Sequence, residues 1–271
     1  MPLRPLCRVP PGLPLLLTTI AAAHAQDSAT LQKKLTNPVA DLVTLPFQYT
    51  GTANVQPRDS WQHTLNIQPV YPVRLNPRWN LINRAILPVL SNPGPLGQDR
   101  KTGIGDLSYE AFFTPAEPTR RGWIWGVGPI FILDTASNRV LGQGKYSAGP
   151  AVVAVREPGA WTYGALFTQA WSFGGSSDHP SVSRLQIQPI LSYRLSPRHA
   201  IGYTGTIDAD WRRHGGQRWT VPLGLTWSIL SRPANFVPIN TLVGVGYNVV
   251  RPDSAGTWFV RFQVNFILPK R

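Results

Sequence analysis

The segment Trp258-Phe-Val-Arg-Phe-Gln-Val-Asn-Phe-Ile-Leu268 alternates between two kinds of residue. Its even-numbered positions hold only Trp, Val, Phe and Leu, whereas its odd-numbered positions include Arg261, Gln263 and Asn265. Alternation with a period of two predicts a β-strand with one apolar and one polar face. About ten residues are enough for a tilted strand to cross a bilayer. The segment therefore predicts a strand of a transmembrane barrel, with lipid on one face and a polar lumen on the other.

The same alternation recurs along the chain and predicts an all-β fold. It is clear in 64–75, 184–195, 201–211, 219–229 and 239–249, and weaker in 79–90, 106–113, 123–134, 145–156 and 161–173. With 258–268 these segments are one short of the even strand number of bacterial single-chain barrels. We therefore predict Asp41–Thr50 as a further strand, giving a transmembrane antiparallel up-and-down β-barrel of about 12 strands. Two alternatives stay open: Pro46 is unusual in a strand, so 41–50 could instead fill the lumen, and the pattern of 145–156 does not decide which face meets lipid.

The N-terminal residues resemble an export signal. Arg4 and Arg8 precede an apolar stretch over 13–23, and Ala23-His-Ala25 is a small-x-small cleavage site. We predict a signal peptide over 1–25, a periplasmic N-terminal segment over 26–40 and an outer-membrane barrel over 41–271. The apolar stretch is too short for a spanning helix, so a helical anchor is not expected. Cys7 is the one cysteine and would leave with the signal, so no disulfide or cysteine metal site is expected.

Composition and charge agree with an exported strand-rich chain. Hydrophobic residues make up 42% and charged residues 14%, and the chain holds 27 Pro and 24 Gly, which suits short strands joined by turns. The net charge is +13. For an exported chain this charge favours lipopolysaccharide or an anionic solute as partner and not nucleic acid. Two environments stay open for the basic residues at the outer strand ends, lipopolysaccharide phosphates or solvent; these residues are Arg100, Lys101, Arg139, Lys145, Arg212, Arg213 and Arg218.

Connector lengths and tryptophans predict the orientation of the barrel. Short connectors at 76–78, 157–160 and 196–198 are expected in the periplasm, and longer ones at 91–103, 135–144, 174–181 and 212–217 outside the cell. Trp79, Trp123 and Trp161 each follow a predicted periplasmic turn, and Trp61, Trp171, Trp211, Trp219 and Trp258 fall at the opposite strand ends. Two aromatic girdles at the membrane interfaces are the expected result.

Charged residues on the polar strand faces are the candidate functional residues. The predicted lumen-lining residues are Arg74, Arg84, Asp106, Glu110, Arg194, Asp208, Asp210 and Arg261. A charge near the bilayer midplane costs about 2–4 kcal/mol, so these side chains are expected to point inward. We expect about half to form ion pairs across the lumen. Unpaired arginines, with Arg74 and Arg194 as the first candidates, would select anionic or aromatic solutes.

A short sequence repeat, named here the internal echo, occurs in two of the predicted strands. Leu65-Asn-Ile-Gln-Pro and Arg74-Leu-Asn-Pro-Arg78 match Leu185-Gln-Ile-Gln-Pro and Arg194-Leu-Ser-Pro-Arg198 at a constant offset. Both strands are followed by a short turn. A duplication of half the barrel and a shared structural constraint are both consistent with this echo.

Several short strings together resemble a family of Gram-negative outer-membrane barrels. They are 37–42 (NPVADL), 65–69 (LNIQP) with 79–82 (WNLI), 103–107 (GIGDL), 122–129 (GWIWGVGP), 161–165 (WTYGA) and 217–222 (QRWTVP). The family is filed with phenol meta-pathway proteins, and its members often carry the misleading label neuromedin U. The resemblance implies an outer-membrane transporter or channel, and it brings no catalytic residues.

Three function classes remain after these observations: a channel for small solutes, a lipid-modifying enzyme, and a structural or adhesive barrel. An enzyme would need a nucleophile beside a base. Ser176-Ser-Asp-His179 is the one cluster of this kind, but no Gly-x-Ser-x-Gly accompanies a histidine. The histidines are dispersed, so neither a metal nor another cofactor is expected. We predict a channel or transporter for hydrophobic, aromatic or anionic compounds and no enzymatic activity.

Overall fold

The chain folds into one closed antiparallel β-barrel. The computed structural model describes residues 28–94 and 99–269. The strand segments are β1 (Val43–Val55), β2 (Ser60–Ile67), β3 (Val70–Asn76), β4 (Trp79–Asn92), β5 (Lys101–Ile104), β6 (Leu107–Pro115), β7 (Trp123–Leu133), β8 (Lys145–Arg156), β9 (Trp161–Gly175), β10 (Ser183–Arg194), β11 (His199–Tyr203), β12 (Ile207–Asp210), β13 (Trp219–Ser231), β14 (Ile239–Val250) and β15 (Trp258–Leu268). They pair in chain order, and β15 pairs with β1 to close the sheet.

Three of the barrel's spans are interrupted, so the 15 segments form the 12 spans that the sequence predicts. The interrupted spans are β2 with β3, β5 with β6, and β11 with β12. The first break lies at Pro69, which has no backbone N–H for the ladder. The third contains Gly205, whose φ of +137 is accessible to glycine. Period-two alternation continues across the first and third breaks, so the sequence wrongly predicts unbroken strands there. Lys101–Ile104, expected in a loop, is a strand paired with β4.

The weakest predicted strand is the one that closes the barrel. β1 pairs with β15 from Val43 opposite Leu268 to Thr52 opposite Phe259, and the prediction of a strand at Asp41–Thr50 is confirmed. The alternative in which this segment fills the lumen is wrong. Val43 and Leu268 lie at the same end of the barrel as the short connectors, and we name it the turn end. The opposite end, with the longer connectors, is the loop end.

The outer surface of the barrel is a broad apolar belt. Leu223, Leu225, Val245 and Val260 are among its exposed members, and Leu225 in the middle of β13 is 62% exposed. Aromatic pairs occupy both ends of the belt. The turn-end pairs are Trp79 with Trp125, Trp123 with Tyr163 and Trp161 with Tyr193, and the loop-end pairs include Trp211 with Trp219 and Tyr247 with Trp258. An apolar surface of this extent is stable only against lipid or a partner.

The inner surface has two different halves. Inward side chains of β4 and β6 to β10 pack into an apolar cluster: Ile82, Phe112, Ile130, Ala151, Val153, Val155, Leu166 and Ile190. The remaining spans present amides, hydroxyls and charges. In β8, Val153 and Val155 face inward and Val152 faces outward, which resolves the ambiguity of 145–156. Phe259 also turns inward, and its ring fills the space that a side chain at Gly246 would need.

The residues before β1 pack inside the turn end. Residues 28–34 form a short helix, and the following Val39 joins the inner apolar cluster. The sequence places 26–40 in the periplasm, whereas residues 28–40 contact the inner wall. The predicted signal peptide, 1–25, lies outside the described residues. Over 28–94 and 99–269, no helix is long and apolar enough to cross a membrane.

A charge on the apolar belt tests whether the belt faces lipid. Leu225→Arg is expected to lower the free energy of unfolding by about 2–4 kcal/mol in lipid vesicles, because its guanidinium would lie near the bilayer midplane. Leu195→Arg, at an exposed position beside the turn end, is the matched control and should cost about 0–1 kcal/mol. Urea titration followed by tryptophan fluorescence measures both. Equal costs at the two positions would contradict a belt that spans the bilayer.

Candidate functional site

A row of cavities follows the lumen from one end of the barrel to the other. The loop-end cavity has a volume of about 400 Å³, and Gln143, Arg184, Asp208 and Thr220 are among its lining residues. The central cavity has about 230 Å³. Two turn-end cavities have about 140 and 160 Å³. Shared lining residues show where neighbouring cavities meet: Gln48 and Gln188 line the central cavity and both turn-end cavities.

A charged cluster separates the loop-end cavity from the central cavity. Arg184 contacts Asp208 through Nη2 at 2.8 Å and donates from Nε to Oδ1 at 3.0 Å. Gln186 Nε2 donates to the same oxygen at 2.9 Å. Asp208 and Arg184 line the loop-end cavity and Gln186 lines the central cavity. These three side chains therefore lie on the wall of the lumen between the two cavities.

A buried ion pair braces the opposite wall of the central cavity. Arg84 on β4 lies opposite Glu110 on β6, and Arg84 Nη1 is 3.1 Å from Glu110 Oε2. The two side chains are 13% and 5% exposed. Arg84 Nη2 also donates to Gln68 Oε1 at 3.0 Å. Because every one of these groups has a partner, the pair neutralises itself and adds no net charge to the cavity.

Arg261 also lines the central cavity, and it has no such partner. Its side chain makes no ion pair or hydrogen bond with another described residue, and its Nε atom is buried. Its cross-strand neighbours are Thr50 on β1 and Gly244 on β14, and neither carries a charge. Arg261 also lines the 160 Å³ turn-end cavity. Within the described part of the chain, Arg261 therefore places an uncompensated positive charge in the middle of the lumen.

Two predicted residues hold the loops of the loop end. Asp106 Oδ1 accepts from the backbone N–H of Ala136 at 3.2 Å, and its Oδ2 accepts from that of Gln143 at 2.6 Å. The loop between β7 and β8 is thereby held against the connector between β5 and β6, and its Gln143 lines the loop-end cavity. Asp210 accepts from Arg213 Nε at 3.1 Å, which fixes the connector to β13. Both carboxylates act as loop anchors in this structure.

The two arginines favoured by the sequence as selectivity residues lie at the turn end. Arg74 points to the inner side but is exposed at the rim, and it lines none of the four cavities. Arg194 Nη1 donates to the backbone O of Ala29 at 3.1 Å and so holds the N-terminal helix. Neither arginine reaches the central cavity, and their role as selectivity residues is not supported by this geometry.

Further contacts fix the N-terminal segment against the inner wall. Gln32 Nε2 donates to Ser228 Oγ at 2.8 Å, and Asn37 Nδ2 donates to Glu157 Oε1 at 3.1 Å. Lys33 Nζ donates to the backbone O of Glu157. Residues 34–38 and 40 line the 140 Å³ cavity. The segment therefore narrows the turn end of the lumen, a role that the sequence analysis missed because no periodicity marks residues 28–40.

The histidines have structural surroundings. His63 lies on the outer face between Tyr49, whose hydroxyl is 2.8 Å from His63 Nδ1, and Trp61. His199 stacks on Trp227 at 5.6 Å between ring centroids. In the loop proposed for a catalytic cluster, Ser176 Oγ accepts from the backbone N–H of Asp178, and Asp178 pairs with Arg139. Over the described residues, no group of three potential metal ligands occurs.

Comparison with known proteins identifies the fold. No family model and no curated protein sequence matches the chain. An outer membrane channel from Pseudomonas putida F1 matches over 84% of this chain and 94% of its own, with 15% identity and a TM-score of 0.57. The NanC porin matches over 84% and 100%, with 9% identity and a TM-score of 0.51. At these identities the likeness shows a shared fold, the closed antiparallel barrel of outer-membrane proteins.

The buried ion pair gives a testable stability prediction. Glu110→Gln should lower the free energy of unfolding by about 3–5 kcal/mol, because it leaves the Arg84 guanidinium buried without its counter-charge. The double variant Arg84→Met with Glu110→Met should unfold with nearly the free energy of the unaltered protein, because no uncompensated charge remains. Urea titration in vesicles measures both. A double variant as unstable as Glu110→Gln would contradict the assignment of the loss to the unpaired charge.

Proposed function

We propose that this protein is an outer-membrane channel through which small solutes cross along the lumen. The observation that carries the proposal is the row of cavities from the loop end to the turn end. The shared fold with an outer membrane channel and a porin supports it. An apolar outer belt between two aromatic rows supports an outer-membrane location.

The lining of the cavities favours solutes that are small and can form hydrogen bonds. Gln48, Gln188 and Gln263 present side-chain amides to the cavities, and none of the three amides is bonded to another described residue. The central cavity and the two turn-end cavities are each smaller than the 300–1,000 Å³ typical of pockets for drug-sized ligands. A solute would also pass the paired charges of Arg184 and Asp208. The lumen thus acts as a narrow filter and not as a wide aqueous pore.

The resemblance of the short sequence strings supports a place in the outer-membrane group filed with phenol meta-pathway proteins. Within the proposal the protein has no enzymatic activity. The histidines support this part, because His63 and His199 belong to the outer aromatic rows and the Ser176–His179 loop is held by its own turn contacts.

Lipopolysaccharide is the proposed partner of the loop-end rim. Arg100 donates to the backbone O of Trp61, and Arg218 lies 5.5 Å from the ring of Trp211. Both guanidinium groups are thus held beside tryptophans of the outer aromatic row, at the level where lipid phosphates lie. Arg139 and Arg213 are paired with Asp178 and Asp210 and are less available.

Removal of the N-terminal helix tests the channel directly. A chain that lacks residues 28–36 should show a single-channel conductance several-fold above that of the intact chain, because the two turn-end cavities lose one of their walls. Residues 37–42 are kept, since Val39 belongs to the inner cluster. Planar bilayer recordings at fixed salt measure the effect.

Two variants refine this experiment. Arg194→Gln removes the contact with Ala29 and should increase the frequency of large openings without deleting any residue. Arg120→Gln, at an exposed position of the connector between β6 and β7 that lines none of the four cavities, is the control and should leave the conductance nearly unchanged. If both the intact chain and the chain without 28–36 insert into the bilayer yet pass no current, the channel proposal is wrong.

A further inference from the structure

Arg261 differs from Arg84 and Arg184 in how its charge is balanced. Arg84 faces Glu110 and Arg184 faces Asp208, each within ion-pair distance. Arg261 has Gly244 and Thr50 as its cross-strand neighbours and no carboxylate within ion-pair distance among the described residues. A guanidinium cannot lose its proton at physiological pH, so this charge persists in the lumen. A bound anion would balance it.

The groups around Arg261 complete a site for such an anion. Gln48 and Gln188 line the same central cavity, and their amides have no bond to another described residue. Thr206 adds a hydroxyl on the same lining. Amide N–H and hydroxyl groups donate to anions, and the planar guanidinium donates two parallel hydrogen bonds to a carboxylate. The cavity therefore offers several donors that converge on one volume.

The same cavity also has an apolar wall. Ile86 and Leu166 line it, and Leu166 belongs to the inner apolar cluster. An inorganic anion such as chloride or phosphate would leave this wall in contact with water only. A carboxylate with a short hydrocarbon tail would satisfy the donors with one end and cover the wall with the other. The volume of about 230 Å³ limits the tail to a few carbon atoms.

We propose that the central cavity is a binding site for small monocarboxylates, with the carboxylate on Arg261 and the hydrocarbon part against Ile86 and Leu166. This inference rests on the proposed channel function in one respect: the site selects the solute that crosses only if the protein is a channel. The site itself depends on Arg261 and the groups around it. Gly244 makes the arrangement possible, because a side chain there would meet Thr226 Cγ2 at 2.7 Å and crowd the inner wall beside Arg261.

Binding of butyrate to the detergent-solubilised barrel tests the site without any transport. Isothermal titration of the intact protein with butyrate should give saturable binding, and Arg261→Gln should weaken it about tenfold or more, because a hydrogen-bonded charge is lost. Arg261→Lys keeps the charge but not the paired donors and should fall between the two. Arg74→Gln, at the exposed rim, is the matched control and should bind as the intact protein does.

Other probes and a stability measurement make the outcome unambiguous. Chloride and inorganic phosphate should bind more weakly than butyrate, and n-butanol should not bind measurably. Equal binding of butyrate by the intact protein and Arg261→Gln would overturn the proposal, as would phosphate binding tighter than butyrate. Arg261→Gln should unfold at a urea concentration no lower than that of the intact protein, because it removes a buried charge that has no partner. This variant is therefore expected to fold.

Bilayer recordings then separate the site from the channel. In a salt gradient the Arg261→Gln channel should show an anion-to-cation permeability ratio several-fold below that of the intact channel. A protein that binds butyrate through Arg261 but passes no current would refute the channel and retain the binding site. A conducting protein whose reversal potential and butyrate binding are both unchanged in Arg261→Gln would refute the site and retain the channel.

Discussion

The pairing of β1 with β15 is the contact on which the barrel depends. Every backbone N–H and C=O group inside a bilayer needs a partner within the protein, and an open sheet would leave two unpaired edges. The register from Val43 opposite Leu268 to Thr52 opposite Phe259 removes both edges along nearly the full height of the barrel. Pro46 is tolerated in β1 because it lies where the neighbouring span is itself interrupted, between β2 and β3. Closure thus accommodates a residue that argues against a strand.

Closure of 12 spans creates a lumen that the inward side chains nearly fill, and the chain fills it unevenly. Inward Phe112, Ile82 and Val153 are fully buried against each other, so one half of the lumen is packed like the core of a soluble protein. Val39 of the N-terminal segment extends this packing at the turn end. The other half keeps polar side chains and the cavities between them. A path along the lumen therefore follows the polar half, beside a rigid apolar wall.

The fold could be predicted from the sequence because period-two alternation reports which face of a strand each residue occupies. Alternation cannot assign the faces of a strand that is apolar on both sides. β8 is the example, because the adjacent valines Val152 and Val153 face lipid and lumen respectively. The N-terminal segment was missed for a related reason. Residues 28–40 have no alternation, and their contacts with Ser228 and Glu157 join positions far apart in the chain. Periodicity also cannot show that the face of β7 and β8 that points into the lumen is apolar.

Which charged side chains pair depends on the register between neighbouring strands, and the alternation within one strand does not report that register. Alternation places Arg84, Arg184 and Arg261 on the inner face alike. The register between neighbouring strands puts Glu110 opposite Arg84 and two aspartates on the strand beside Arg184. Arg261 has only Gly244 and Thr50 as its cross-strand neighbours. The internal echo is informative here. Its two strands, β2 with β3 and β10, lie half a barrel apart, and their inward glutamines Gln68 and Gln188 both line the central cavity and the 140 Å³ cavity. The repeated element thus supplies neutral amides on opposite walls. The net positive charge between those walls comes from Arg261 on β15, because the neighbouring positions on β1 and β14 carry no acidic side chain.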